Sequence, residues 1–142
     1  MSTVTDLEAA NAEFYLAFEQ ADLDRMSALW ADGPYAAGAT CVHPGWPMLR
    51  GRDEVLRSWA LIMANTPYIQ FVLTDVMTEV HGDQAVVTCS ENILTADEET
   101  ETGFLAGGRV VTTNIFVRSE GQWRLWLHHG SPVLNQIEDD EV

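Results

Sequence analysis

The run Cys41-Val42-His43-Pro44-Gly45-Trp46-Pro47 sets a thiol and an imidazole one residue apart, then follows them with prolines and an indole. Histidine titrates near working pH, so His43 is a candidate general base or acid. Its competing role is structural: a ring that hydrogen-bonds a backbone carbonyl and orders the Pro-rich loop. Trp46, on that loop, is placed to close over a ligand. A second cluster, Trp126-Leu127-His128-His129, offers two more imidazoles. Neighbours on a strand point to opposite faces, so only one of the pair can enter an interior. Alternation puts His128 with Arg124 and Trp126, and His129 with the more apolar row Trp123, Leu125 and Leu127, so His129 is expected inward. Asn92 and Asn114 are amides in apolar strands, where an unpaired polar group is costly. They either meet a ligand oxygen or pair with a neighbouring strand or helix end. Glu91 faces away from Asn92 and becomes the rival carboxylate base if the strand parity is inverted. Cys41 and His43 share a strand face and, with a later histidine, could contact a metal. Closed zinc sites need more ligands at short spacing than this, so no metal is expected. Arg50 and Arg52 suit helix or loop ends, or a substrate carboxylate, and His81 falls in an exposed turn. Trp30, Trp59 and Trp126 are large apolar residues of the kind that fill cores and interfaces.

These side chains must be positioned by the elements around them. Leu7, Ala10, Phe14, Ala17, Phe18 and Ala21 recur at helical spacing, predicting a helix over roughly 5–20. Asp22 can cap a second helix with Leu23, Met26, Leu29 and Trp30 as its stripe, and Asp32-Gly33-Pro34 ends it. Ala39 to His43 reads as a short extended run. Gly51-Arg52-Asp53-Glu54 opens a third helix, striped by Val55, Leu56, Trp59, Ile62 and Met63 and ended at Thr66-Pro67. From Tyr68 the period changes to that of strands: Tyr68–Val80, Gln84–Leu94, Arg109–Arg118 and Gln122–His129, with turns at His81-Gly82-Asp83 and Ser119-Glu120-Gly121. Residues 95–103 form an acidic hairpin end, and 136–142 an acidic tail. Helices first and antiparallel strands after predict an α+β fold with helices on one face of a curved sheet.

The chain has 142 residues, 46 % of them hydrophobic, and a near-zero mean hydropathy. That is the size of one domain, 1–142, with its core over about 5–133. The net charge of −15 comes from 22 acids and seven basic residues, all arginine. Such a field disfavours nucleic acid and anionic lipid surfaces. Without a lysine, neither a Schiff base nor a P-loop is available. No run approaches the roughly 20 apolar residues of a membrane span. The start Met1-Ser2-Thr3-Val4-Thr5-Asp6 has no basic and apolar leader pattern, and Cys41 and Cys89 make no disulfide framework. A cytoplasmic setting is expected.

The order of elements and their local wording resemble the nuclear transport factor 2-like superfamily, also called ketosteroid isomerase-like or SnoaL-like. The resemblance rests on Ala21-Asp22-Leu23-Asp24, Leu29-Trp30-Ala31-Asp32, His43-Pro44, Gly51-Arg52-Asp53-Glu54-Val55, Gly121-Gln122-Trp123-Arg124-Leu125 and His128-His129-Gly130-Ser131. It spans about residues 5–133. It implies a cone-shaped bent antiparallel sheet around a long helix, a pocket between them, and homodimers through the sheet. Where steroid isomerases carry a base aspartate before a proline, this chain has His43. Their oxyanion-binding tyrosine corresponds to Phe14, with Tyr15 turned about 100° away; their protonated aspartate corresponds to Asn114. The departures argue against steroid isomerisation and leave a related proton transfer. The expected catalytic residues are therefore His43, Asn114 and His129, with Asn114 polarising a ligand oxygen. The expected substrate contacts are Trp46, Asn92, Tyr15, Phe14, Trp59, Cys41 and His128. The expected ligand is a small hydrophobic, carbonyl-bearing molecule undergoing isomerisation, dehydration or cyclisation without a cofactor. The alternative is a non-catalytic ligand-binding or association module of the same fold.

Overall fold

The computed structural model describes residues 3–97, 99–101 and 103–134. The acidic tail expected over 136–142 lies outside the described residues. Helix α1 spans Thr3–Glu19, and its buried Leu7, Asn11, Phe14 and Tyr15 recur at helical spacing on one flank. Asp22 opens α2, Leu23–Leu29, by accepting the Arg25 backbone N–H at 3.1 Å, which satisfies one of the free amides of a helix start. A 3₁₀ turn over Gly33–Gly38 leads into β1, Thr40–Val42, and β2, Leu49–Arg50. Gly51 then starts α3, Arg52–Ala64, at φ 96°, a left-handed conformation in which a side chain would be strained. The Arg52 guanidinium donates to the Trp30 carbonyl at 2.6 Å and the Ser27 carbonyl at 2.8 Å, fixing the start of α3 to the end of α2. This is the helix-end role among the two considered for Arg52.

The remaining strands are β3 (Ile69–His81), β4 (Gln84–Ala96), β5 (Phe104–Ser119) and β6 (Gln122–Pro132). They join β1 and β2 in one sheet of order β2-β1-β6-β5-β4-β3. β3 to β6 form an antiparallel meander. The β5–β6 hairpin closes through Glu120 at φ 54° and Gly121 at φ 77°, the backbone that tight two-residue hairpins demand. β1 pairs with β6 in parallel, so the sheet is mixed rather than wholly antiparallel. β2, two residues long, is too short to leave a periodic signal and was not expected from the sequence.

Register shifts between Thr74 and Met77, Ile93 and Leu94, and Ile115 and Phe116 mark bulges, which bend the strands that carry them. The curved sheet wraps α1 and α3. Ala85, Val87, Cys89, Phe116 and Leu125 share one core with Leu7, Phe14, Val55 and Trp59 from those helices. Burying each such large side chain contributes about 1.5–3 kcal/mol.

The bulge in β6 has a direct consequence. Phe116 pairs with Leu125 and Ile115 with Leu127, leaving Trp126 as the extra residue. Trp123 and Leu125 point inward; past Trp126 the alternation resumes out of step, so His128 and Gly130 are buried and His129 is exposed. A slip of one residue moves every later side chain to the other face. The expectation that His129 faces the interior is thereby corrected: the inward imidazole is His128. Among the described residues, no helix is long and apolar enough to cross a membrane.

Candidate active site

A cavity of about 220 Å³ lies between α1, α3 and the concave face of the sheet. α1 contributes Phe14, Tyr15 and Phe18, α3 contributes Trp59 and Ile62, and the loop after β1 contributes Pro44 and Trp46. Its polar groups fall into two sets.

The first set is a pair of histidines. His43 is 3 % exposed, and its ring meets the edges of Trp46 and Trp59 at centroid distances of 5.0 and 4.7 Å. Its Nε2 lies 2.8 Å from Ser58 Oγ on α3, and Ser58 in turn donates to the Val55 carbonyl at 2.6 Å. Cys41 Sγ sits 3.6 and 3.8 Å from the two ring nitrogens. Burial lowers the His43 pKa to about 4. His128 packs its ring 4.7 Å from that of Phe14 and 6.4 Å from that of His43. Its Nδ1 lies 2.6 Å from Asn114 Oδ1, while Asn114 Nδ2 donates to Asn11 Oδ1 at 2.9 Å. Burial, then the proximity of His43 and His129, lowers the His128 pKa to about 3. Both rings are therefore neutral at pH 7.

The second set is built on Glu91, which is 5 % exposed. Tyr15 donates to Glu91 Oε2 at 2.6 Å and Thr112 donates to the same oxygen at 2.7 Å. Oε1 has no hydrogen-bond partner among the described residues, and Glu91 lines the cavity. Burial raises the Glu91 carboxyl above the usual range, and the two donated hydrogen bonds oppose that rise. The Tyr15 phenol is itself pushed far up, by burial first and then by the Glu91 charge.

Of the residues singled out from sequence, His43, His128, Phe14, Tyr15, Trp46 and Trp59 line the cavity together. Tyr15 reaches it despite its offset from Phe14, because the sheet wraps a wide sector of α1; the two rings lie 4.9 Å apart. Cys41 is buried against His43, behind the lining. Three expectations are corrected. Asn114 is fully buried with both ends of its amide engaged, so it holds His128 rather than a ligand oxygen. Asn92 lies on the outer face, where its amide nitrogen donates to the Val72 carbonyl and Thr74 Oγ1. His129 is also on that outer side. The inverted parity that would bring Glu91 inward is the one observed. It had a local signal: Ala85, Val87 and Cys89 form the apolar row of β4, Thr88, Ser90 and Asn92 the polar one, and Glu91 continues the first.

Sequence reasoning missed Asn11, Ser58 and Thr112. Asn11 and Ser58 interrupt the apolar stripes of their helices, at positions where an aliphatic residue would be expected. Among the described residues, no group of three or more His, Cys, Asp or Glu side chains is arranged to hold a metal ion.

Comparison with known proteins places this architecture. A solved structure from Streptomyces avermitilis, described as a proposed dehydratase of the NTF2-like family, is 48 % identical over 93 % of this chain and 97 % of its own, with a TM-score of 0.82. A second, from Thiobacillus denitrificans and described as a proposed calcium/calmodulin-dependent protein kinase type II association domain, is 30 % identical over 89 % of this chain and 94 % of its own, with a TM-score of 0.76. The F-box protein SKIP8 of Arabidopsis thaliana is 28 % identical over 141 residues; the match takes in 99 % of this chain and 54 % of that protein, so the chain spans about half the length of this curated relative. The family model of the SnoaL-like domain matches residues 7–135, and the chain belongs to that family.

Proposed function

We propose that this SnoaL-like domain is a cofactor-independent proton-transfer enzyme acting on a small hydrophobic compound. Dehydration of a hydroxy-carbonyl molecule is the reaction that best suits its site. The observation that carries this reading is one aromatic cavity holding two kinds of titratable group with oppositely displaced pKa values: His43 and His128 moved down, Glu91 moved up. Environments that push such values apart are how one site supplies both a base and an acid. In the proposed step, His43 or His128 takes the proton from the carbon beside the carbonyl. The carbon–oxygen bond at the neighbouring carbon breaks, and the protonated Glu91 carboxyl gives its proton to the departing hydroxyl, which leaves as water. The 48 % identical dehydratase-described relative supports this reading. Mass spectrometry of small molecules released from the purified protein, followed by incubation of each with fresh protein, tests it. Loss of water by wild type and not by Glu91→Gln is expected; a compound that binds and is recovered unchanged would instead indicate a binding module.

A homodimer through the outer face of the sheet, in a reducing cytoplasm, completes the proposal. Val72, Met77 and Val111 are 62, 72 and 47 % exposed, and their register puts them on that face. Apolar groups presented this way favour a second copy. The association-domain reading is favoured by the same face and by the 30 % identical relative of that description. Sedimentation at micromolar concentration is expected to show twice the 15.8 kDa chain mass.

A further inference from the structure

The side chains that support the two cavity histidines fix which ring nitrogen carries the proton. The contact of 2.6 Å from Ser58 Oγ to the Val55 carbonyl requires a proton between two oxygens, and the contact of 2.8 Å from Ser58 Oγ to His43 Nε2 requires another. A serine hydroxyl supplies one hydrogen. The second must come from the ring, so His43 carries its proton on Nε2 and keeps Nδ1 as its lone pair. Cys41 Sγ, nearly equidistant from both nitrogens, is committed to neither. At His128 the assignment is reversed. Asn114 turns its amide nitrogen to Asn11 and its oxygen to the ring, so His128 carries its proton on Nδ1 and keeps Nε2 as its lone pair. The Tyr15 and Thr112 hydroxyls are both used on Glu91 Oε2.

We propose that the two histidines are locked in opposite tautomers, so that each ring offers the cavity a lone pair and no N–H. An occupant is held at these rings through its own donor: a hydroxyl or phenol on a small apolar frame is recognised there, and a ketone, aldehyde or ether of the same shape is not. Ser58 and Asn114 are positioning residues that set this selectivity through His43 and His128. The inference rests on the cavity being the ligand site.

Nitrogen NMR of imidazole-labelled protein without ligand tests the lock alone. Protonated Nε2 in His43 and protonated Nδ1 in His128 are expected, and the other tautomer in either ring overturns the inference while leaving the proposed reaction standing. Titration with p-cresol, its methyl ether and p-tolualdehyde, read at the same ring nitrogens, tests selectivity. p-Cresol is expected to bind about tenfold more tightly than the other two, the scale of one hydrogen bond made against an otherwise unpaired acceptor. Equal binding of all three overturns the inference. Ser58→Ala releases the His43 tautomer and should narrow the preference, and Ser58→Thr, which keeps the hydroxyl, should restore it; an unchanged preference in Ser58→Ala removes Ser58 from the argument and overturns the lock at His43. Failure of all three probes to perturb either ring would sink the cavity as a ligand site, and the proposed reaction with it.

Discussion

The histidine wall and the Glu91 corner are buried to a similar degree, and burial acts on them in opposite senses. His43 and His128 lose their charged form by losing a proton, so desolvation lowers their pKa values to about 4 and 3. Glu91 loses its charged form by keeping a proton, so the same cause raises it. The supports differ as well. Each histidine gives its ring N–H to an oxygen, of Ser58 or Asn114, which fixes its orientation without adding a charge. Glu91 instead receives hydroxyl donors from Tyr15 and Thr112, which stabilise its anion and temper the effect of burial. One dry, aromatic enclosure thus yields bases that rest unprotonated and an acid that is reluctant to ionise, with no ion pair needed to distinguish them.

The contrast is broken most directly by removing one member at a time. His43→Gln and Glu91→Gln each keep hydrogen bonds at similar reach and should each lower turnover by about 10²–10⁴, the usual value of a positioned proton-transfer group. Rates per folded molecule on the compound identified by mass spectrometry check this. A large loss in one variant only would show that the two walls do not act on the same occupant.

Acid is the next largest lever. Unfolded His43 takes up a proton near 6.5 and folded His43 only near 4, so between those values the unfolded chain binds more protons. The stability held above pH 6.5 is lost as pH falls to about 4, by about 3 kcal/mol for His43 alone, and His128 extends the loss to about 3. Denaturant melts across that range are expected to follow this slope, and His43→Gln to flatten it.

Asn114→Ala should cost about 2 kcal/mol, because it leaves buried donor and acceptor groups of His128 and Asn11 unpaired. Thermal melting measures this, and the His128 tautomer should become mixed. The smallest effect sharpens the other side of the comparison. Above pH 4.5 folded Glu91 holds its proton longer than unfolded Glu91, so its contribution to stability is lost as pH rises through the folded value. The melting temperature of Glu91→Gln should therefore gain on that of wild type as pH rises; a constant difference between the two would place Glu91 in the ordinary carboxylate range.

Much of this frame was readable from local pattern. The stripe on α1, the Asp22 cap, the Gly51 start of α3 and the starts of β3, β4 and β6 depend on spacing within one element, and the sequence carries that spacing; β5 instead begins at Phe104 rather than Arg109, and β6 runs on to Pro132 rather than ending at His129. His43 was found because a lone imidazole in a short strand before a proline is conspicuous by itself. The orientation of the β6 histidines was not readable, because the extra residue Trp126 exists only as a relation between β6 and β5. Parity counted along one strand cannot register an insertion defined by its partner. The parallel pairing of β1 with β6 escaped for a similar reason, since nothing within either strand names a neighbour so far along the chain. Asn114 was identified as a buried amide and assigned the wrong client. Its inward direction was correct, but the ring of His128 stands between it and the cavity.

That parallel pairing also sets an order of events. Thr40, Cys41 and Val42 lie against Leu127, His128 and His129, so the histidine wall joins an early part of the chain to a late one. Contacts of such long sequence separation are slow to form, because a large loop must close before any bond is gained. The β3–β4 and β4–β5 hairpins, whose partners are near neighbours, can assemble first and bring the Glu91 corner together with Tyr15 when α1 docks. A chain halted before β6 would hold its carboxylate half in place, lack His128, and leave β1 without its parallel neighbour. The cavity is thus completed late, when the last strand pairs with β1 and brings His128 in beside His43.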